Sequence, residues 1–284
     1  MNRTHLFFLA LVLSVLGFFS VYFIFSVSTE ASVTVLNTNA LNTHSPPKLQ
    51  CHQESNTLSI DNEGKLDVLV WNIYKQNRSN WNEALTSLSQ SRQLILLQEA
   101  SMTDSFKGWL IEKGWQGNQV EAFKAFDVSS GVLTIAADSP ALVCAYLVVE
   151  PWLRLPKSAL FSLYSLSDGQ QLAVVNIHAV NFTYGVAEYQ QQLNALVKAL
   201  LQHEGPIIFA GDFNSWSHER MNELAEHLRP LGLIAATFMP DNRKQFLNGL
   251  ALDHVFYRGL TLKKAEAPQS DASDHNPLLV SFSL

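Results

Sequence analysis

Polar side chains that can bind a metal ion or move a proton recur in this sequence at one kind of position, directly after a short apolar run. The runs have the length of β-strands. Loops at strand ends are where α/β folds collect functional groups, because the strands are rigid and the loops are open. The positions are Asn72, Glu99, His178, Asp212, Asn214, Asp253, Asp274 and His275. The pattern predicts one polar site assembled from distant parts of the chain.

Two of these motifs are more specific than a single polar residue after a strand. In GDFN, Gly211 permits a close or unusual backbone turn, after which Asp212 and Asn214 can point into one place. In SDHNP, Asp274 and His275 are adjacent and a proline stiffens the connection that follows. A lone Asn or His at such a position is usually a turn or hydrogen-bonding residue, so the site hypothesis depends on the whole set.

The elements that must position these groups begin at residue 66, where apolar runs of strand length start to alternate with a few helical stretches. Strands are predicted at 67–73, 94–98, 131–136, 141–149, 159–166, 172–177, 207–210, 252–257 and 278–282. Helical spacing is present at 81–89, 187–202 and 218–228. Many strands with few helices argue against a doubly wound sheet and favour a layered α/β sandwich.

The motifs WN, QE, NIH, GDFN, LDHVF and SDHNPL, in this order between about residue 66 and residue 284, resemble those of the endonuclease/exonuclease/phosphatase superfamily. Its members include deoxyribonuclease I-like nucleases, abasic-site endonucleases, bacterial sphingomyelinases and inositol-phosphate phosphatases. GVLTI at 131–135 also resembles an internal strand of this family, and the chain looks closest to a bacterial branch. The resemblance implies an α/β fold, a four-layer sandwich in which two mixed β-sheets pack face to face with helices outside.

The resemblance also implies a metal site. It would contain Asn72, Glu99 and Asp274, with Glu99 as the principal Mg²⁺ ligand. Mg²⁺ prefers oxygen ligands, which a carboxylate and the amide oxygen of Asn72 supply. The absence of a nearby cysteine disfavours zinc, whereas His178 and His275 keep Mn²⁺ open as an alternative.

The same resemblance implies catalytic roles. Asp212 would orient or deprotonate the attacking water, and Asn214 would hold a nonbridging phosphate oxygen. His275 would lie beside the scissile phosphate, paired with Asp253, and His178 would lie near the leaving group. Whether Asp212 or His275 accepts the proton of the water is left open by the sequence.

The expected activity is therefore divalent-metal-dependent hydrolysis of a phosphodiester, in nucleic acid or in a lipid headgroup or other small phosphodiester. A phosphomonoesterase and an inactive binding protein are the alternatives, and no obligate protein partner is indicated. The net charge of −6 weighs modestly against a DNA substrate, since proteins that bind DNA nonspecifically usually carry a basic excess. Arg154 and Lys157 are expected to be solvated at a strand edge.

The N-terminal segment predicts a membrane anchor or signal at 1–28, followed by a linker at 29–65 and the catalytic domain at 66–284. Residues 6–27 carry no charge, and a helix of this length, about 33 Å, would cross a hydrocarbon core of about 30 Å. The linker is rich in Ser, Thr and Asn and is expected to have little regular structure, with a short strand near 32–36 left open.

The basic residues favour an orientation with the catalytic domain outside the cytoplasm. Arg3 precedes the apolar segment, and the next basic residue after it is Lys48. The expected location is the bacterial inner membrane, with the alternatives of a secreted or periplasmic protein after cleavage, or a cytoplasmic one if translation starts downstream. The two cysteines, Cys51 and Cys144, are interpreted as free thiols in preference to a disulfide.

Overall fold

The structure is a computed structural model that describes Phe7, residues 25–36 and residues 49–284. Most of the apolar segment at 6–27 therefore lies outside the described residues. Among the residues that are described, no helix has the length and apolar composition needed to span a membrane. The end of the apolar segment is a strand, Phe25–Val27, where the sequence predicted the last turn of a helix.

The described residues form strands and helices in the following order. The strands are β1 (Phe25–Val27), β2 (Val33–Leu36), β3 (Cys51–Gln53), β4 (Lys65–Asn72), β5 (Leu94–Ser101), β6 (Gln116–Ala125), β7 (Val128–Ala136), β8 (Leu142–Val149), β9 (Pro156–Ser165), β10 (Gln171–His178), β11 (Ile207–Asp212), β12 (Ile234–Ala235), β13 (Asp253–Arg258), β14 (Thr261–Glu266) and β15 (Leu278–Ser283). The α-helices are α1 (Trp81–Leu88), α2 (Asp104–Lys113), α3 (Ala187–Leu200) and α4 (His218–Leu228). Single 3-10 turns lie at Tyr74–Gln76 and Arg229–Leu231.

The strands form two mixed sheets. The first sheet has the order β1-β6-β7-β5-β4-β15-β14, with β2 also paired to β6, and the second has the order β12-β13-β11-β10-β9-β8-β3. Each sheet contains one parallel pair, β4 with β5 and β10 with β11, among antiparallel neighbours. The carboxyl ends of these parallel pairs carry most of the polar residues singled out in the sequence.

The two sheets pack face to face, and helices cover their outer faces. Leu66, Val68 and Val70 of β4 join residues of the second sheet in a core between the sheets, whereas Leu69 and Trp71 pack outward against α1 and α2. A strand buried on both faces has a continuous apolar run, which is the pattern of residues 68–71. Helices α3 and α4 cover the second sheet in the same way. The predicted four-layer sandwich is confirmed.

Helix α2 and the strands β6 and β14 were not predicted. Thr103 caps α2, because its hydroxyl accepts a hydrogen bond from the N–H of Phe106, and Gly114 ends the helix in the left-handed conformation with φ 66°. The strands β6 and β14 contain many polar residues, several of which are only half-buried or exposed. Their alternation was therefore too weak to read.

The segment expected to be a tether completes the edges of both sheets. Strand β2 pairs with β6 in the first sheet, and β3 pairs with β8 in the second. Ile60 enters the core between the sheets and is 2% exposed. The few apolar residues of this segment are spaced widely among Ser, Thr and Asn, so the sequence pattern did not predict that some of them would be buried.

Cys51 and Cys144 form a disulfide, so the preference for free thiols was wrong. The two residues lie directly opposite each other in the antiparallel pair of β3 and β8, with a Cα–Cα distance of 4.1 Å. Pairing of strands that are 93 residues apart in the chain brings them together. No local feature of the sequence reports such a pairing.

Candidate active site

The second sheet places three of the predicted site residues in one row. His178 at the end of β10 is the register partner of Asp212 at the end of β11, and Asp212 is in turn the partner of Asp253 at the start of β13. Neighbouring strands are about 4.8 Å apart, so residues in one row present adjacent side chains on one face. All three are buried, with 7% or less of each residue exposed.

Gly211 lets two of these strands approach each other closely. It has φ 141°, and a Cβ atom at this position would lie 2.0 Å from the carbonyl oxygen of Ile177 in β10. The sequence predicted that this glycine permits an unusual or close backbone, and the contact with β10 is the reason it must be glycine. The approach sets the distance between Asp212 and His178, whose Oδ2 and Nε2 atoms are 3.6 Å apart.

The first sheet contributes Asn72 and Glu99 from the other side. Asn72 ends β4 and donates a hydrogen bond from Nδ2 to Oδ2 of Asp212 at 3.0 Å, while its Oδ1 accepts from the N–H of Tyr74. Asn72 therefore orients Asp212, whereas the sequence analysis expected its amide oxygen to bind the metal. Glu99 lies at a β-bulge of β5 with φ 53°, and a bulge redirects a side chain away from the regular alternation. Its Oε1 is 3.9 Å from Nε2 of His178.

His275 joins the row through Asp253. Its Nδ1 is 2.8 Å from Oδ2 of Asp253, and its backbone carbonyl accepts a hydrogen bond from Nε1 of Trp71 at 2.8 Å. The preceding loop is tied to β4, because Oγ of Ser273 donates to the carbonyl of Asn72 at 2.6 Å. These bonds connect the two sheets at the site.

Burial and neighbouring charges shift the pKa values of His275 and Asp212 by different amounts. Burial alone would lower the pKa of His275, but the carboxylates of Asp253 and Asp212 outweigh it and raise the pKa to about 10. Burial raises the pKa of Asp212 to about 6, helped by the charge of Asp253 and opposed by that of His275. At neutral pH, His275 is a charged hydrogen-bond donor and Asp212 is an acid–base group with a pKa close to the ambient pH.

His178 has the opposite tendency. Its burial, followed by the positive charges of Lys157 and Lys75, lowers its pKa well below the usual value. Nζ of Lys157 is 2.9 Å from Nε2 of His178, so the neutral ring accepts a hydrogen bond from the ammonium group. Lys157 therefore faces the site, and the expectation that it would be solvated was wrong. Arg154, four residues after Glu150, is exposed as expected.

A cavity of about 220 Å³ opens beside these groups, and its polar lining includes Lys75, Glu99, Lys157 and His178. Nζ of Lys75 forms an ion pair with Glu99. Sequence reasoning missed Lys75, although its place three residues after Asn72 was a signal that it follows the same strand end. The lining also contains the carboxylates of Glu99 and Glu150, but its two ammonium groups and neutral imidazole can bond an anionic group such as a phosphate.

Asn214 and Asp274 lie at the margins of the site. Asn214 has φ 46°, donates from Nδ2 to the carbonyl of Ala179 at 2.8 Å, and donates its N–H to Asp212 Oδ1 at 3.0 Å. Lys244 donates to the backbone carbonyl of Asp274 at 2.9 Å. Oδ1 of Asp274 is buried and has no hydrogen-bond partner in the described part of the chain.

Arg220 of α4 holds the loops around the site and was also missed. Its guanidinium is fully buried and donates to the carbonyls of Val180, Asn181 and Asn214 at 2.6, 3.0 and 3.0 Å. A signal for it exists in the sequence, since residues 220, 224 and 228 share the buried face of α4 at helical spacing. An arginine on such a face must satisfy its donors inside the protein.

The donors of the site fit a hard divalent cation. Asp212, Asp253 and His275 offer one ligand atom each within 4.8 Å of one another, and all three are buried. The carboxylate of Glu99 already pairs with an ammonium cation, and Asp274 has an unsatisfied oxygen nearby. Carboxylate oxygens with few other donors are the ligand set that Mg²⁺ accepts.

Comparisons with known proteins found relatives of this chain and solved structures of similar fold. A UPF0294 protein of Vibrio vulnificus is 55% identical over 268 residues, which cover 94% of this chain and 93% of that protein. Among solved structures, the catalytic domain of human Nocturnin with bound sulfate aligns with a TM-score of 0.60 at 18% identity, over 80% of this chain and 97% of that one. ANGEL2, described as a 2′,3′-cyclic phosphatase, aligns with a TM-score of 0.59 at 14% identity, over 77% of this chain and 95% of that one.

At these identities the solved structures show a shared fold. The family assignment comes from the sequence itself, because residues 69–275 match the model of the Endonuclease/Exonuclease/phosphatase family, whose description covers nucleases and phosphatases. The matched range includes every predicted site residue from Asn72 to His275. The chain belongs to the endonuclease/exonuclease/phosphatase family.

Proposed function

We propose that this protein hydrolyses a phosphodiester bond with the help of a divalent cation, Mg²⁺ in the first place and Mn²⁺ as the alternative. One observation carries the proposal. The imidazole of His275 is held by Asp253 and lies 3.9 Å from Asp212, and Asp212 lies 3.6 Å from His178, which lines a cavity together with Lys75 and Lys157. An anion-binding cavity beside an acid–base pair is the arrangement that phosphoester hydrolysis requires.

The side chains divide the chemistry as follows. Lys75 and Lys157 bind the phosphate oxygens and offset their charge. Asp212, oriented by Asn72, accepts the proton of the attacking water. His275 is already protonated at neutral pH, so it donates to the phosphate, and this favours Asp212 over His275 as the proton acceptor.

The cation would be held by oxygen donors of this chain. The carboxylates of Glu99 and Asp274 are the candidate ligands, since His275 is protonated and Asp212 accepts the proton of the water. Bound there, a divalent cation offsets charge that develops on the phosphoryl oxygens. Asp253 has a second function, since its bond to Nδ1 fixes the orientation of the His275 ring.

The test uses the purified full chain with Mg²⁺, with Mn²⁺ and with a chelator. We expect turnover of bis(p-nitrophenyl) phosphate that the chelator abolishes. His275→Ala should lower kcat by about 10²- to 10⁴-fold, the usual contribution of a positioned acid–base group. His218→Ala is the matched control, because His218 is exposed at the start of α4.

Three outcomes would contradict the proposal. Wild-type turnover in His275→Ala would mean that the activity uses another site, and turnover unaffected by the chelator would exclude the metal requirement. Faster hydrolysis of p-nitrophenyl phosphate than of the diester would identify a phosphomonoesterase instead.

We further infer that the protein works outside the cytoplasm. The bond between Cys51 and Cys144 supports this location, since structural disulfides persist in oxidising compartments and are rare in the cytosol of most organisms. Thiol labelling of the native protein in intact cells and in denatured extracts tests the inference. We expect no free thiol, and two labelled cysteines in freshly quenched cells would refute it.

A further inference from the structure

A second and larger cavity adjoins the candidate active site. It has a volume of about 600 Å³ and is lined mainly by aromatic and aliphatic side chains. Several of them are exposed to solvent, with Tyr184 77% and Trp152 55% exposed. Exposed apolar groups gathered around one cavity are unusual on a soluble surface and mark binding sites. The phosphoester chemistry proposed above does not use them.

The two cavities share walls. Leu153 and Phe182 line both the small cavity that contains Lys75 and Lys157 and the large apolar one. Asn214, which donates its N–H to Asp212, also lines the large cavity. A molecule bound across both would therefore place an anionic group among the lysines and an apolar part among the rings.

The loops that form the apolar cavity are held in place before any ligand binds. Arg220 donates to the carbonyls of Val180 and Asn181, and Glu150 accepts the N–H of Asn181 at 2.7 Å. Nε1 of Trp216 donates to Oδ1 of Asn181 at 2.9 Å. Preorganised walls reduce the entropy lost when a ligand binds.

The polar groups of this cavity are largely engaged within the protein. Oδ1 of Asn181 accepts from Trp216, Nδ2 of Asn214 donates to the carbonyl of Ala179, and the hydroxyl of Thr183 donates to the carbonyl of Gly185. Few groups are left to bond the edges of a nucleobase. The ring pairs are also tilted, at 50° for Trp152 with Tyr184, so they do not form the parallel faces between which a base stacks.

Charge also disfavours a polynucleotide. Lys75 and Lys157 are concentrated at the phosphate end, where they suit one anionic group, and the chain carries a net charge of −6. A groove for single-stranded nucleic acid would need cations along its length. A subsite that binds one anionic group, next to a large apolar subsite, suits an amphipathic phosphoester.

We propose that the apolar cavity binds the hydrocarbon part of a lipid phosphoester whose phosphate lies between Lys75 and Lys157. The proposal rests on the proposed function for its phosphate half, and it assigns Trp152 and Tyr184 to the acyl chains. Burial of an apolar side chain contributes about 1.5–3 kcal/mol, so removing both rings should weaken lipid binding by at least about tenfold.

The test measures binding without turnover. The full chain is titrated with dihexanoyl phosphatidylglycerol in an isothermal calorimeter, with a chelator present and the lipid below its critical micelle concentration. The same titration is made with glycerophosphoglycerol, which has the same headgroup but lacks the acyl chains. We expect the lipid to bind more tightly than its deacylated counterpart. Trp152→Ala combined with Tyr184→Ala should remove that difference, and both side chains are exposed enough to be replaced without loss of folding.

Ile111→Ala combined with Leu201→Ala is the matched control, since both residues are exposed apolar side chains, one within α2 and one directly after α3. It should change lipid affinity by less than about twofold. Equal affinity of the wild-type chain for the two glycerol compounds would overturn the inference, as would a ring-dependent preference for a single-stranded oligonucleotide. Lipid binding that persists without any Mg²⁺-dependent hydrolysis would instead refute the proposed function and leave the apolar subsite supported.

Discussion

Two histidines of the same site show how neighbouring charges decide the protonation of a side chain. His275 is bonded to Asp253, and this carboxylate raises its pKa to about 10. His178 is equally buried but faces Lys157, and its pKa is lowered well below the usual value. One ring is thus a cationic donor and the other a neutral acceptor within a few ångströms. Sites that separate the pKa values of similar groups in this way are typical of acid–base catalysis.

Away from the site, the hydrogen-bonded carboxylate of Asp61 is expected to make the stability of the fold depend on pH. Its carboxylate accepts hydrogen bonds from the N–H of Ser167 at 2.7 Å and of Gly64 at 2.8 Å, and from the Ser167 hydroxyl. Burial on its own raises the pKa of Asp61, but these hydrogen bonds outweigh it and hold the pKa below its usual range. Because the folded pKa is depressed, the stabilisation is present above the unfolded pKa of about 4 and is lost as the pH falls through the folded value.

Asp61→Asn should therefore lower the free energy of unfolding by about 1–2 kcal/mol at pH 7, since it weakens charged hydrogen bonds. The difference from wild type should shrink at pH 3. Urea unfolding at both pH values measures it, with the exposed Asp127→Asn as control. A difference that grows toward pH 3 would show that the charge of Asp61 does not stabilise the fold.

At the scale of elements, helix α4 positions the loops that follow β10 and β11. It does so through Arg220, which lies between the rings of Tyr189 and Trp216, at 4.8 and 4.5 Å from their centroids. The guanidinium satisfies backbone carbonyls of both loops, which would otherwise be buried without partners. A helix on the outside of the sandwich thereby fixes the geometry of Asn214 and of the apolar cavity.

Arg220→Met should destabilise the protein by about 3–5 kcal/mol, because it leaves several buried carbonyls without donors. Arg220→Lys should recover only part of this loss, since an ammonium group cannot reproduce the planar fork. Thermal unfolding followed by circular dichroism measures both variants, and the exposed Arg229→Met serves as control. Equal stability of the methionine variant and the wild type would show that packing, and not these hydrogen bonds, holds the loops.

At the scale of the whole molecule, segments far apart in the chain complete each sheet. The disulfide joins residues 93 positions apart at an edge of the second sheet. Closing a loop of about 100 residues stabilises a fold by up to about 4.7 kcal/mol in the chain-entropy account. In this account the disulfide stabilises the fold by lowering the conformational entropy of the unfolded chain, so its effect cannot be read from contacts in the folded structure.

Reduction should therefore lower the free energy of unfolding by about 2–4 kcal/mol. The measurement is urea unfolding with and without a thiol reductant. A variant with Cys51→Ser and Cys144→Ser should have the stability of the reduced wild type and should not respond to reductant. A reductant effect of the same size in that variant would place its origin elsewhere in the molecule.

The layers of the sandwich and the polar row could be predicted because both follow from local patterns. Apolar runs marked the strands of the core, and the polar residue at the end of each run marked its place at the edge of a sheet. Asn72, His178 and Asp212 end their strands and were found in this way, whereas Asp253 begins β13.

What could not be predicted depends on which strands and helices become neighbours. Lys157 reaches His178 because β9 runs antiparallel to β10, so the start of one lies beside the end of the other. Cys51 meets Cys144 only through the pairing of β3 with β8. The side-chain amide of Asn72 donates a hydrogen bond to Asp212 because the two sheets pack against each other at this point. The order of the motifs in the sequence does not reveal this contact.

The place of β15 in the first sheet constrains how this protein can be made. Residues 278–283 form an interior strand between β4 and β14, and this strand begins three residues after His275. One edge of β4 therefore stays without its partner β15 until the ribosome has added more than 200 further residues to the nascent chain. Unpaired strand edges promote aggregation. The candidate active site therefore cannot form until β15 has been synthesised, and folding helpers that shield exposed edges should raise the yield of folded protein.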